Sequence, residues 1–331
     1  MPLTPSRQAI AYRRANRIRG LSGGVGVLVR LVAAAVLAGA ITTTWRPALV
    51  VRPSTTQGAR LPQSIDVVGA RLLGWLRDWG ADVDERLVPW HDTTKGRGLF
   101  AAESIEANCT LVRLPPELCL RAHSREDIPF MAAHFGQDVI DEVLMVAAVL
   151  GARDDAGWQE YVSSWPIPAT FEAALPMFWD AARLRQASID FPGLDVQASE
   201  RQALVSKIAS YLHVPEDAAA HAHAVVSTRA VGSDSGWCVL LPGVDIANHN
   251  PEHNARIMVA GQPGVREGRA KVTEFGEVWE YGSAGLVTCR AIALGEEVHI
   301  TYGPLPNQRL LLDYGFTLGT KNPHGDLEAN A

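Results

Sequence analysis

An α+β architecture is predicted, rich in short strands and interrupted by a helical insertion. Three observations carry that expectation. Short alternating apolar segments with glycine and proline breaks crowd the stretch after Gly80 and return after Trp237. Between them the apolar residues recur at helical spacing. No regular alternation of strand and helix supports a long parallel sheet.

The folded part is expected to begin near Gln63. Ser64 can cap a helix carrying Val67, Val68, Leu72, Leu73, Trp75 and Leu76, with Gly80 ending it. Glycine-rich KGRGLFA (95–101) leads into the strand-like ANCTLVRLP and a Pro115-Pro116 break. Asp138 to Leu150 reads as an amphipathic helix stopped by Gly151, and the following WQEYVSSWPIPATF is aromatic and broken by proline. Ser199 with Gln202 three residues on forms a capping-box pattern before Leu204, Val205, Ile208 and Leu212. Pro215 opens a further helix through Val225, Val226 and Arg229 to Gly232. WCVLLPG, ARIMV, EVWEY, GLVTCRAI and EVHITYG then read as strands. The implied organisation is a leader (1–60), a first β-rich part (61–124), a helical insertion (125–232), a second β-rich part (233–318) and a tail (319–331).

Charge divides the chain. Residues 1–65 hold nine arginines, no lysine and no acid, which leaves 21 basic against 36 acidic residues in the remainder. An acidic body argues against a nucleic-acid groove and suits a basic protein or peptide partner, although solubility alone accounts for it equally. The arginine-rich start, the apolar run Leu31–Ile41 and Ala38-Gly39-Ala40 suggest a targeting segment, since a bilayer span needs roughly 20 apolar residues. A plastid is the expected destination, with a mitochondrion or a retained membrane anchor as the alternatives. Any membrane contact is expected through that segment only, and the chain is expected to be a monomer. The four cysteines, Cys109, Cys119, Cys238 and Cys289, form no CxxC pair and are expected as reduced thiols.

No P-loop, GxSxG elbow, HExxH or dinucleotide GxGxxG pattern occurs. Two segments draw attention. Gly96-Arg97-Gly98 by itself reads as a plain turn, or as a place where backbone approaches a ligand closely. Asp245-Ile246-Ala247-Asn248-His249-Asn250 follows an apolar run, so its polar side chains demand partners if buried. Pro251 between His249 and His253 breaks the helix that zinc-ligand spacing needs, and no metal site is expected. Near the C-terminus, Gly295-Glu296-Glu297 precedes the alternating Val298, Ile300 and Tyr302. A Gly-Pro loop, an apolar run and Tyr314 follow. Two tyrosines brought together in this way suit a narrow pocket with hydroxyls inside.

KGRGLFA, GVDIANHN and GEEVHITYG with LLLDYGF, in this order, resemble a SET domain. More narrowly they resemble the Rubisco large-subunit lysine methyltransferase-like subfamily, whose SET domain is split by a helical insertion. The similarity covers about residues 65 to 318. It implies a protein-lysine N-methyltransferase using S-adenosyl-L-methionine, with histidine methylation or a non-catalytic SET-like module as the alternatives. It also implies roles. Gly98, Leu99, Phe100, Arg229, Asn248, His249 and Phe316 fall on cofactor-binding positions, with Arg229 against the cofactor carboxylate and Phe316 near the adenine. Tyr302 falls at the catalytic centre, and Tyr314 lines the channel. Methyl transfer from a sulfonium needs chiefly an aligned neutral amine, which a narrow apolar channel favours. Because the chain ends soon after LDYGF, the subfamily's C-terminal helical substrate-binding domain is expected to be absent. Rubisco is therefore not carried over as the substrate.

Overall fold

The computed structural model describes residues 64–92, 96–121, 134–135, 140–233, 237–260, 271–272 and 276–325. Residues 1–60, expected to be a leader, and Lys95 lie outside the described residues. The first part runs β1 (Ser64–Ile65), α1 (Val67–Asp78), β2 (Asp82–Val83), β3 (Leu87–Asp92), β4 (Gly96–Ala101), β5 (Thr110–Leu114) and β6 (Leu120–Arg121). Ser64 is not the cap of α1, because it pairs with His91 in β1. Asp66 caps instead, its carboxylate accepting from the backbone N–H groups of Val68 (3.3 Å) and Gly69 (3.0 Å). A carboxylate there also meets the positive end of the helix dipole.

Among the described residues the helices α2 (Ile140–Asp154), α3 (Gln159–Val162), α4 (Pro168–Ala174), α5 (Ala181–Asp190), α6 (Leu194–Leu212) and α7 (Glu216–Arg229) follow. Two sequence expectations are corrected here. Gly151 does not stop α2, which runs three residues past it, and a side chain at that position would meet open space. Ser199 and Gln202 form no capping box. They lie inside α6, whose start is Leu194 after Gly193, and they bond to Asp195 O and Met177 O instead. Pro215 does precede the first residue of α7.

The chain then returns to strands: β7 (Val231–Ser233), β8 (Trp237–Leu240), β9 (Asn248–His249), β10 (Ala255–Val259), β11 (Lys271–Val272), β12 (Val278–Trp279), β13 (Ala284–Thr288) and β14 (Glu297–Ile300). A last helix, α8 (Asn307–Tyr314), ends at Gly315. The expected α+β class is the class observed. The strands form small sheets in the orders β1-β3-β4-β14-β9, β10-β13-β5-β2 and β6-β8-β7, with β11 paired to β12.

One apolar core joins strands and helices. Leu72 of α1, Leu99 of β4, Val146 of α2, Val225 of α7, Leu240 of β8 and Val298 of β14 are all fully buried within it or nearly so. Each such side chain contributes about 1.5–3 kcal/mol by leaving water. The helical block is therefore continuous with the strands that carry the site.

Candidate active site

The site is built where β14 changes partner. Glu297 and Val298 pair antiparallel with Phe100 and Leu99 of β4. His299 and Ile300 then pair parallel with Asn248 and His249 of β9. From Gly98 back to Gly96 the edge of β4 is no longer paired with β14, and Asn248 closes the gap. Its Nδ2 donates to Arg97 O (2.9 Å) and to Glu297 Oε1 (2.7 Å). Gly98 is the residue that fits this crowding without displacing a side chain. A Cβ there would lie 2.6 Å from Glu297 Oε1 and 3.1 Å from Asn248 Nδ2. Gly96–Gly98 is thus a strand edge rather than a plain turn.

Beside it stands a wall of four rings. Tyr302 and Tyr314 stack with centroids 4.6 Å apart and planes at 28°. His249 lies 5.1 Å from the Tyr302 ring, and Phe316 lies 6.2 Å from His249 and 6.3 Å from Tyr314. Tyr302 sits two residues beyond β14. Its backbone N–H donates to His249 Nδ1 (3.0 Å) and its hydroxyl donates to Ala247 O (3.1 Å). Tyr314 ends α8, and Gly315 (φ 80°) turns the chain back so that Phe316 joins the wall.

A buried polar triad joins the helical block to this wall. Arg229 Nη1, at the end of α7, donates to Asp245 Oδ2 (3.0 Å) and Asp245 O (3.2 Å). The Tyr161 hydroxyl of α3 donates to the same Oδ2 (2.9 Å). The Asp245 side chain is fully buried. Arg229 Nε and Asp245 Oδ1 are buried without partners. Burial works against the charge of Arg229, yet Asp245 outweighs it and raises the guanidinium pKa. Burial pushes Tyr302 well above the usual tyrosine range, against the opposing Arg229 charge, and pushes Tyr314 up to about 12. Both phenols therefore stay protonated at neutral pH. Burial, joined by His324, His253 and His299, lowers the pKa of His249.

All nine residues singled out from sequence fall on these elements, but not in equal ways. Tyr302, Tyr314, His249 and Phe316 share the ring wall, and Asn248 bridges to β4. Leu99 turns its side chain fully into the core, and Phe100 packs edge-on against Trp90 at 5.8 Å, so those two can offer backbone only. Arg229 already carries an ion pair with Asp245. Sequence reading missed the roles of Tyr161, Asp245 and Glu297. Asp245 lay in a segment already flagged as needing partners, and Glu297 lies on the face of β14 opposite Val298 and Ile300. Tyr161 gave no signal beyond its aromatic-rich surroundings. Among the described residues no group of three or more His, Cys, Asp or Glu could hold a metal ion, and no helix is long and apolar enough to cross a membrane.

The chain is similar to a mouse protein described as SET domain-containing protein 4. They are 24% identical over 283 residues, covering 78% of this chain and 60% of the relative. Its fold resembles the SET domain of LSMT bound to lysine and AdoHcy, with a TM-score of 0.56 and 18% identity, over 76% of this chain and 57% of that one. It likewise resembles Rubisco LSMT bound to AdoMet, with a TM-score of 0.54 and 19% identity, over 77% and 57%. The chain thus spans about three fifths of the length of these proteins. The sequence profile of the SET domain matches residues 96–303, from the glycine edge of β4 to the residue after Tyr302, and this chain belongs to the SET-domain family.

Proposed function

We propose that this chain is an S-adenosylmethionine-dependent protein-lysine N-methyltransferase. The observation that carries the reading is the wall of His249, Tyr302, Tyr314 and Phe316 standing beside the unpaired glycine edge of β4. Membership of the SET-domain family supports it. So does the shared fold with LSMT structures whose bound ligands are AdoMet, AdoHcy, lysine and methyllysine.

The residues present fit such a cofactor. Gly98 carries no side chain, and from Gly98 back to Gly96 the β4 edge is not paired with β14, which leaves backbone there for a ligand. Arg229 Nε and Asp245 Oδ1 are an orphaned donor and acceptor that a ligand bearing a carboxylate and an amine can satisfy. When bound, S-adenosylmethionine supplies a methyl group on a positively charged sulfur for in-line displacement.

The chain's own residues then do three things. The ring wall excludes water, which favours the neutral form of an amine whose pKa in water is near 10.4. The Tyr302 and Tyr314 hydroxyls, held protonated by burial, orient that amine and do not take its proton. The backbone bond to His249 anchors Tyr302, the hydroxyl bond to Ala247 holds its ring, and alignment of this kind supplies much of the rate.

The test is incubation of the full chain with radiolabelled S-adenosylmethionine and a lysine-containing peptide library, with products mapped by mass spectrometry. Calorimetry in chelator runs in parallel. Cofactor binding in chelator with label on lysine supports the reading. Label on histidine moves the assignment to that side chain. Binding without transfer leaves a non-catalytic SET-like module. For localisation, the acid-free arginine-rich leader supports delivery to a plastid. Microscopy of the tagged full chain tests this, and mitochondrial or membrane labelling overturns it.

A further inference from the structure

Away from the ring wall, four helices meet at one charged node. Asp313 is the residue before Tyr314 on α8, and it is buried. Its Oδ1 accepts from Arg201 Nη2 of α6 (3.0 Å), and its Oδ2 lies 2.9 Å from Arg309 Nη2, one turn back on α8. Its backbone carbonyl accepts from Ser227 Oγ of α7 (3.0 Å). The other arm of Arg201 reaches Glu142 Oε1 of α2 (3.2 Å). That same carboxylate oxygen lies 2.6 Å from Nε2 of the buried His223 on α7. Arg201 therefore stands between two carboxylates from two different helices and ties α2 and its own α6 to α8.

Burial raises the pKa of Asp313 despite the two arginines, so the fold disfavours its charge. Buried ion pairs of this kind add little net stability compared with apolar replacements. What they confer is geometry, and α8 needs it. The helix has only eight residues, too few to be stable by itself. Its roll about its own axis is set by what grips it. A tyrosine hydroxyl stands about 9 Å from the axis of its helix, so a roll of about 10° moves it by about 1.5 Å. A misplacement of that order at a reacting centre is costly in rate.

We propose that Arg201 and Asp313 are positioning residues that fix the roll of α8 and so hold Tyr314 against Tyr302. The proposal rests on the methyltransferase reading for its consequence in rate, and its structural half can be tested without it. Full-length protein carrying 3-fluorotyrosine gives a fluorine resonance for Tyr314, assigned by its loss in Tyr314→Phe. Arg201→Met should shift or broaden that resonance and leave those of Tyr161 and Tyr281 in place. Should Arg201→Met fail to fold, Arg201→Lys serves. Its ammonium can bridge only one of the two carboxylates, so it should give a smaller shift in the same resonance.

With the peptide library and radiolabelled S-adenosylmethionine, Arg201→Met should lower the rate at saturating cofactor by about 10-fold, with cofactor affinity unchanged. In the Tyr314→Phe background the same change should cost less than about 2-fold, because residues acting through one another are not additive. An unmoved Tyr314 resonance in a folded Arg201→Met protein overturns the proposal. So does a full additional rate loss in the Tyr314→Phe background. A wild-type protein that methylates nothing defeats the transferase reading instead, and the fluorine spectrum still decides whether Arg201 holds Tyr314.

Discussion

Tyr302 and Tyr314 stack ring on ring, yet different physics holds each of them. Tyr302 hangs from β14, whose backbone is paired on one side with β4 and on the other with β9. Its own N–H and hydroxyl bond to His249 and Ala247. Tyr314 hangs from a two-turn helix gripped by side chains, with Arg201 on one flank and Ser227 on another. β14 is paired with both neighbours and turns Val298 and Ile300 into the core, so no single side chain sets its register. A short helix held partly by charged groups, beside its buried Leu310, Leu311 and Leu312, can shift through one substitution. The strand side of the site should therefore respond to mutation in its chemistry, and the helix-borne side in its stability and geometry.

The largest expected effect is at Arg229, where the helical block is tied to Asp245. Removing the guanidinium strands a fully buried carboxylate. Loss of one partner from a buried pair costs about 3–5 kcal/mol. Arg229→Ala should therefore lower the urea midpoint sharply even without ligand. An unchanged midpoint with weakened S-adenosylmethionine binding would instead make Arg229 a ligand residue first, as the family resemblance implies.

Tyr302→Phe comes next and should act the opposite way. The ring and its stack on Tyr314 survive, and so does the backbone bond to His249. What goes is one hydroxyl at the proposed reacting centre, where a pre-organised donor is worth roughly 10²-fold in rate. Single-turnover methylation should fall by that order with cofactor affinity near wild type. A variant that turns over at the wild-type rate would reduce Tyr302 to a packing residue.

Gly98→Ala should be smaller and mixed. The added methyl meets Glu297 Oε1 and Asn248 Nδ2, so the bond between those two must stretch or break. Overpacking of this kind costs about 1–3 kcal/mol. Cofactor affinity, read by calorimetry, should fall with stability rather than alone. An alanine variant with wild-type affinity would show that the β4 edge is not a ligand surface.

The same contrast explains what could be read from the sequence. Strand-borne features were legible because they are local. Val298 and Ile300 alternate into the core, and the segment around Asn248 and His249 follows an apolar run and carries its polar groups together. The long-range contacts that hold the helices were not. Arg201 and Asp313 are 112 residues apart, and Tyr161 and Asp245 are 84 apart, so no spacing rule links them. Caps failed for a related reason. Ser199 fits the capping pattern, but tertiary packing starts α6 five residues earlier, at Leu194, leaving Ser199 in its interior. Asp66 outcompetes Ser64 because β1 pairing claims the serine.

The smallest predicted effect concerns pH and the histidine of the ring wall. His249 Nδ1 accepts the Tyr302 N–H, so that nitrogen must carry no proton, and the neutral ring carries its proton on Nε2. Burial and the neighbouring His324, His253 and His299 hold its pKa below the ordinary 6.5. In the unfolded chain His249 takes up a proton as pH falls through about 6.5. In the folded chain it does so only at lower pH. Over that interval the unfolded state binds more protons, so stability falls as pH falls. Above about pH 6.5 both states are neutral at this residue and the contribution is constant. Urea unfolding of wild type and His249→Gln at pH 7.5, 6.5 and 5.5 isolates the effect, because the two proteins differ only at this residue. The wild type should lose stability faster than the variant between pH 6.5 and 5.5. Parallel slopes would mean that His249 does not stay neutral in the fold. The strand side would then owe less to the His249–Tyr302 bond than to backbone pairing alone.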